Sequence, residues 1–187
     1  MNTHQDEVFN YWDKNQLVRA TAGDLVDLEL PEATCQYLLE VGVAPFTTRL
    51  KQLLGFDFDH LRNNRLCTLP DHFPLGDKVP EEMRSWVLIG HCFEQLLCIE
   101  AGTGNIYLLD GTPASGFLKW FVNTSVSQLM FCITKSLDCF ENARQSKKAS
   151  NPVPQLKASL SDIDPDAFAN QVHWWPTILN EIASGQM

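Results

Sequence analysis

At 187 residues, with 44% hydrophobic and 20% charged side chains, the chain has the apolar content of one folded domain, residues 1–187, and too much to stay disordered. Twenty-three acidic against 14 basic side chains give a formal charge of −9, which argues against direct binding to a nucleic-acid backbone and favours a basic partner. The start, Met1 to Glu7, has no basic n-region or apolar h-region, and no run approaches the ~18 apolar residues of a membrane span, so a cytoplasmic protein without membrane contact is expected.

Residues 1–60 hold ten acids and four bases, which places the negative face in the N-terminal third. Val8, Phe9, Trp12, Leu17 and Val18 recur at loosely helical spacing and predict a first helix over 7–20, with acids early and Arg19 late. An acidic stretch follows, with Asp24, Asp27 and Glu29. The segment from Leu30 to Gly42 predicts a second helix, opened by Pro31 and closed by the glycine.

Between Pro45 and Pro80 the breakers Gly55, Pro70, Pro74 and Gly76 permit only short strands and long loops. Three apolar runs come next, Trp86–Ile89, Leu96–Ile99 and Ile106–Leu109, and they predict a three-strand antiparallel meander. Gly102 and Gly104 supply positive φ for its second turn. A long helix begins near Asn123, with Ser125 and Gln128 at capping-box spacing and Val126, Leu129, Ile133, Leu137 and Phe140 on one stripe. Residues 141–161 predict an exposed connection. The last element is expected to start with Asp164 as N-cap and Pro165 behind it, to bury Phe168, Val172, Trp175, Leu179 and Ile182, and to kink or restart at Pro176.

The six cysteines lie in apolar segments and predict reduced packing thiols. Asp162, Asp164 and Asp166 have the alternation that opens a calcium loop, but Ala167 and His173 stand where that loop needs Gly and Glu. No Cys-x-x-Cys accompanies His91-Cys92-Phe93-Glu94, which excludes a zinc deaminase, and Cys92 should point away from His91 along a strand. Gly102-Thr103-Gly104 joins two strands and lacks the lysine and helix of a phosphate cradle. Asp57, Asp59, His60, Asp71 and His72 offer carboxylates and imidazoles but no third ligand to complete a metal set. No metal, cofactor or catalytic residue is therefore expected. An extended Asp57-Phe58-Asp59 would instead project two carboxylates beside an exposed Phe56 or Phe58, a contact patch for Arg and Lys.

Val87-Leu88-Ile89-Gly90, then Leu96 through Asp110 with its Thr103-Gly104 turn, then Phe121-Val122-Asn123-Thr124-Ser125-Val126, together resemble the SUKH superfamily, and within it the fourth SUKH immunity subgroup. The Leu30-Pro31 helix ending at Val41-Gly42-Val43-Ala44-Pro45, and Trp174-Trp175 with Ile178-Leu179, extend the likeness over most of residues 25–182. The resemblance implies an α+β fold, a central antiparallel β-sheet flanked by N- and C-terminal helices. It also implies a cytosolic antidote that occludes the active cleft of a cognate polymorphic toxin, often a nuclease or nucleic-acid deaminase. It transfers no contact residues. Asp24, Asp27, Glu29, Asp57, Phe58 and Asp59 are the candidate partner-binding positions, chosen for charge and aromatic character. Two rival readings remain open: a regulatory protein-binding adaptor of the same fold, and a small metal-dependent hydrolase built on Asp57, Asp59 and His60.

Overall fold

A computed structural model describes residues 3–145 and 151–185. Helix α1 spans Thr3–Tyr11 and stops well short of the predicted 7–20. Asp13 ends it: its carboxylate accepts the Asn15 N–H at 2.9 Å and its carbonyl accepts the Gln16 N–H at 2.9 Å, a local turn that competes with helix. The chain then runs extended, and Val18 pairs with Val43 as an antiparallel bridge. Trp12 and Leu17 are still buried, so these apolar positions face the core although the chain leaves helix α1 after Tyr11.

Thr21 and Asp24 form a capping box at the start of α2, Ala22–Leu25. Helix α3, Glu32–Glu40, lies within the predicted segment. Gly42 follows at φ +85°, where a Cβ would sit 2.3 Å from the Val18 carbonyl oxygen. Helix α4, Thr48–Leu54, closes on Gly55. The stretch expected to hold only short strands and long loops is thus partly helical, and it continues as β1 Phe56–Asp57, α5 Asp59–Arg62, β2 Cys67–Thr68 and α6 Leu69–His72, each piece kept short by the breakers.

The predicted meander is present as β3 Val87–Cys92, β4 Gln95–Ile99 and β5 Ile106–Thr112. A further strand, β6 Gly116–Asn123, joins it as the edge. Its middle, Leu118-Lys119, is exposed on consecutive residues, which hides the alternation that reveals a strand. The antiparallel sheet has six strands in the order β1-β3-β4-β5-β6, with β2 also on β3. With helices before and after it, the fold is α+β.

Both faces of the central strands are covered. Val87, Ile89, Leu97, Ile99, Ile106 and Leu108 pack into the main core with the helices, whereas Leu88, Cys98 and Leu109 join a smaller cluster with Leu69, Val79, Met83 and Trp86. Two-sided burial explains why these strands read as continuous apolar runs. Helix α7, Val126–Gln145, buries the expected Val126, Leu129, Ile133 and Leu137 stripe, with Phe140 partly buried. Its capping box is half formed: Ser125 Oγ accepts the Gln128 N–H at 3.2 Å, but Gln128 Oε1 accepts the Ser125 and Thr124 hydroxyls instead of a backbone N–H.

Two C-terminal expectations need correction. The supposed connection contains α8, Val153–Ile163, which buries Val153, Leu156 and Leu160 at helical spacing that its Pro and Ser content disguised. The final element is two helices, α9 Pro165–Phe168 and α10 Trp174–Ser184, and Val172 between them is exposed. Pro176 lies in the first turn of α10, where its absent N–H leaves no bond unmade. Asp164 is the N-cap residue of α9 with Pro165 behind it, as expected, but its side chain makes no cap hydrogen bond. It is buried instead, accepting Asn123 Nδ2 at 2.8 Å and the Thr124 N–H at 2.9 Å, while Trp175 Nε1 donates to Asn123 Oδ1 at 2.9 Å. This polar hub joins β6, α7, α9 and α10.

Candidate partner-binding face

The acids singled out in the sequence fall into two groups at opposite ends of the sheet. Glu29 lies by the β4–β5 turn, its carbonyl accepting the Gly102 N–H at 3.2 Å, whereas Asp57 pairs with His91 at the far end of β3. The length of β4 separates them by on the order of 15 Å. Asp27 and Glu29 are exposed, and Asp24 is engaged with Thr21. The Thr21 hydroxyl and backbone hydrogen bonds hold the Asp24 carboxyl below its ordinary range.

The paired projection of Asp57 and Asp59 is not observed, because the chain turns from β1 into α5 at Phe58. Asp57 binds Arg62 at 2.7 Å and lies 3.8 Å from Lys51, and Asp59 binds His91 Nδ1 at 2.9 Å. Phe56 and Phe58 are both buried, with Phe56 4.8 Å from the Trp174 ring, so neither offers an exposed anchor as expected. Their alternation with aspartates is the pattern of core packing.

An aromatic surface does exist, on residues outside the six candidate contact positions. A groove of about 890 Å³ lies where the β3–β4 hairpin, β5 and β6 meet α10, lined by Phe93, Trp120, Trp174 and Ile178 together with Glu94, Asp110, Glu181 and Lys51. Trp120 also lines an adjoining hollow of about 610 Å³ with Tyr107, Phe121 and His173. Phe93 occupies the hairpin turn at φ +53°, where Gly or Asn is usual, and is 45% exposed. Its N–H donates to the Gly55 carbonyl at 2.9 Å, and its ring covers Gly55 so closely that a Cβ there would lie 2.6 Å from it. A bulky residue in the left-handed region costs on the order of 1–2 kcal/mol, a strain that functional sites retain. The Cys92-Phe93-Glu94-Gln95 turn between two clear strands was the signal available in the sequence.

Beside β3, Asp59, His60 and His91 each place a donor atom within 4.8 Å of the others. His72 meets His60 edge-on, with ring centres 5.5 Å apart. Gly90 makes this cluster possible: a Cβ there would sit 2.2 Å from the Asp57 carbonyl oxygen, so only glycine lets β1 and α5 cross β3 at this height. Burial raises the Asp59 carboxyl, but the His91 hydrogen bond and the His91 and His60 charges outweigh it and lower the pKa overall. Burial, then the His60 and His91 charges, lower that of His72. Cys92 points the other way, as expected, and donates to the Leu54 carbonyl at 3.3 Å. All six thiols are free, and burial pushes Cys92, Cys98 and Cys132 far up, which disfavours nucleophilic thiolate.

The profile of the SUKH-4 immunity protein family matches residues 4–181, nearly the whole chain. The chain belongs to the SUKH-4 immunity protein family. Membership gives the chain an immunity role and a cognate toxin as its partner. No curated protein and no solved structure matches this SUKH-4 member. None of its helices, among the described residues, is long and apolar enough to cross a membrane.

Proposed function

We propose that this SUKH-4 protein neutralises a cognate nuclease or nucleic-acid deaminase toxin by covering its basic cleft with the groove between the β3–β4 hairpin and α10. The observation that carries the reading is Phe93: an exposed aromatic held at positive φ at the mouth of a groove rimmed by Glu94, Asp110 and Glu181. Aromatic anchors supply most of the binding energy in such interfaces, and surrounding carboxylates steer a basic partner. Lys51, the one basic side chain lining the groove among the described residues, already faces the Asp57 carboxylate, so the rim presents negative potential. Asp27 and Glu29 add to the long-range field from the other end of the sheet. The protein acts stoichiometrically in the cytoplasm, without catalysis.

The test uses the toxin that co-purifies with the tagged protein. Neutralising the rim in Glu94→Gln/Asp110→Asn/Glu181→Gln is expected to slow association about tenfold at low salt and much less at high salt. Phe93→Gly should speed dissociation by about thirtyfold, the equivalent of ~2 kcal/mol, while the free protein keeps or gains thermal stability because glycine tolerates the turn. Association indifferent to salt and to all three neutralisations would remove steering, and an unchanged dissociation rate in Phe93→Gly would remove the anchor.

A further inference from the structure

We propose that Asp59, His60 and His91 form a binding site for a divalent transition-metal ion of the zinc class. The donor set, two imidazoles and one carboxylate, is the kind of borderline nitrogen and oxygen set such ions prefer, and the three donor atoms already lie within 4.8 Å of one another. The sequence groups Asp59 and His60 with Asp57 and gives no sign that His91 joins them. The antiparallel register of β1 and β3 brings in the third donor by setting Asp57 opposite His91.

Two features go beyond proximity. The Asp59 Oδ1 to His91 Nδ1 separation is 2.9 Å, close to the ~3.3 Å between two ligands of a tetrahedral ion with bonds of about 2.0–2.1 Å. A cation taking the place of the shared proton therefore requires little movement of that pair. His60 Nδ1 is 3.1 Å from the Arg65 carbonyl oxygen, the hydrogen bond by which metal-bound histidines fix their tautomer and leave Nε2 with its lone pair. The Asp59 and His91 side chains are each 30% exposed, so an ion can enter from solvent. Three protein donors leave a coordination position for water, with the His72 imidazole adjacent to His60. A bound ion would fasten α5 to β3, across a stretch otherwise held by short strands. This inference is independent of the toxin-binding reading.

The experiment is calorimetric titration of the chelator-stripped, full-length protein with zinc chloride at neutral pH. One ion per chain is expected, with affinity at least tenfold weaker in His60→Gln and in His91→Gln and unchanged in Cys35→Ser/Cys67→Ser/Cys139→Ser. A second readout needs no variant: cobalt(II) added to the wild-type protein should perturb the imidazole NMR signals of His60, His72 and His91 and spare His173. The last is a built-in control, since it lies against α9 with Nδ1 3.0 Å from the Asp166 carbonyl oxygen. Absence of stoichiometric binding, loss of binding in the thiol variant with retention in both histidine variants, or equal perturbation of His173 would each overturn the proposal.

Discussion

Replacing Asn123 by alanine should be among the most damaging single changes in this protein. The side-chain amide is fully buried and serves both neighbours at once, accepting from Trp175 Nε1 at 2.9 Å and donating to Asp164 Oδ2 at 2.8 Å. Its loss leaves the buried indole N–H without a partner, at about 1–3 kcal/mol. It also removes a charge-assisted bond from a buried carboxylate, at about 1.5–3 kcal/mol, although the Thr124 N–H still donates to that oxygen at 2.9 Å. The sum, about 2.5–6 kcal/mol, corresponds to a fall in Tm of about 5–24 °C for a chain of this size. Urea unfolding of Asn123→Ala, Trp175→Phe and the double variant gives the coupling directly. The pair should be strongly non-additive, because each single change already breaks the same hydrogen bond. A destabilisation of Asn123→Ala below about 1 kcal/mol, or strict additivity, would refute the hub as a shared network.

Gly90→Ala places a methyl group 2.2 Å from the Asp57 carbonyl oxygen and 2.7 Å from Phe58 Cα, both backbone atoms, so relief requires β1 and α5 to lift from β3. Thermal unfolding should report a loss of about 3 kcal/mol, with displaced His91 ring signals in NMR spectra. Tyr37→Phe should be neutral or stabilising by about 1 kcal/mol in urea, because the buried Tyr37 hydroxyl has no hydrogen-bond partner among the described residues. Stability should fall on acidification in two windows. His72 titrates below its ordinary 6.5 in the folded state, so its contribution is full above 6.5 and is lost as pH falls from there towards the folded value. Asp59 is depressed below 3.8, so its contribution is present above that value and is lost as pH falls through the folded pKa. His72→Gln should flatten the urea midpoint between about pH 7 and pH 5, and a slope equal to that of the wild type would count against the assignment.

Legibility followed the range of the interactions involved. The Pro31-to-Gly42 helix, the three apolar strands and the Ser125 cap are specified within a few residues by propensity and turn chemistry, and all are present. Helix α1 was overextended because Asp13 competes for backbone bonds within one turn, a contest that apolar spacing does not register. The candidate groove escaped notice because Trp120, Trp174 and Phe93 come from three separate elements. The sequence leaves open which of Phe56 or Phe58 faces solvent, because an aromatic beside an aspartate can lie on either side of a strand, and the folded chain buries both, Phe56 against Trp174.

By itself, then, the amino-acid order determined the local periods, the caps, the turn glycines and a family pattern running from Val87 to Val126. Only the folded chain decided which distant groups meet: Asp59 with His91, Asp164 with Asn123, the hairpin Phe93 with Gly55. The physical reason is that local structure depends on neighbours along the backbone, whereas a site depends on strand register and close backbone approach. Gly90 illustrates the difference, being an ordinary strand residue until another segment lies across it.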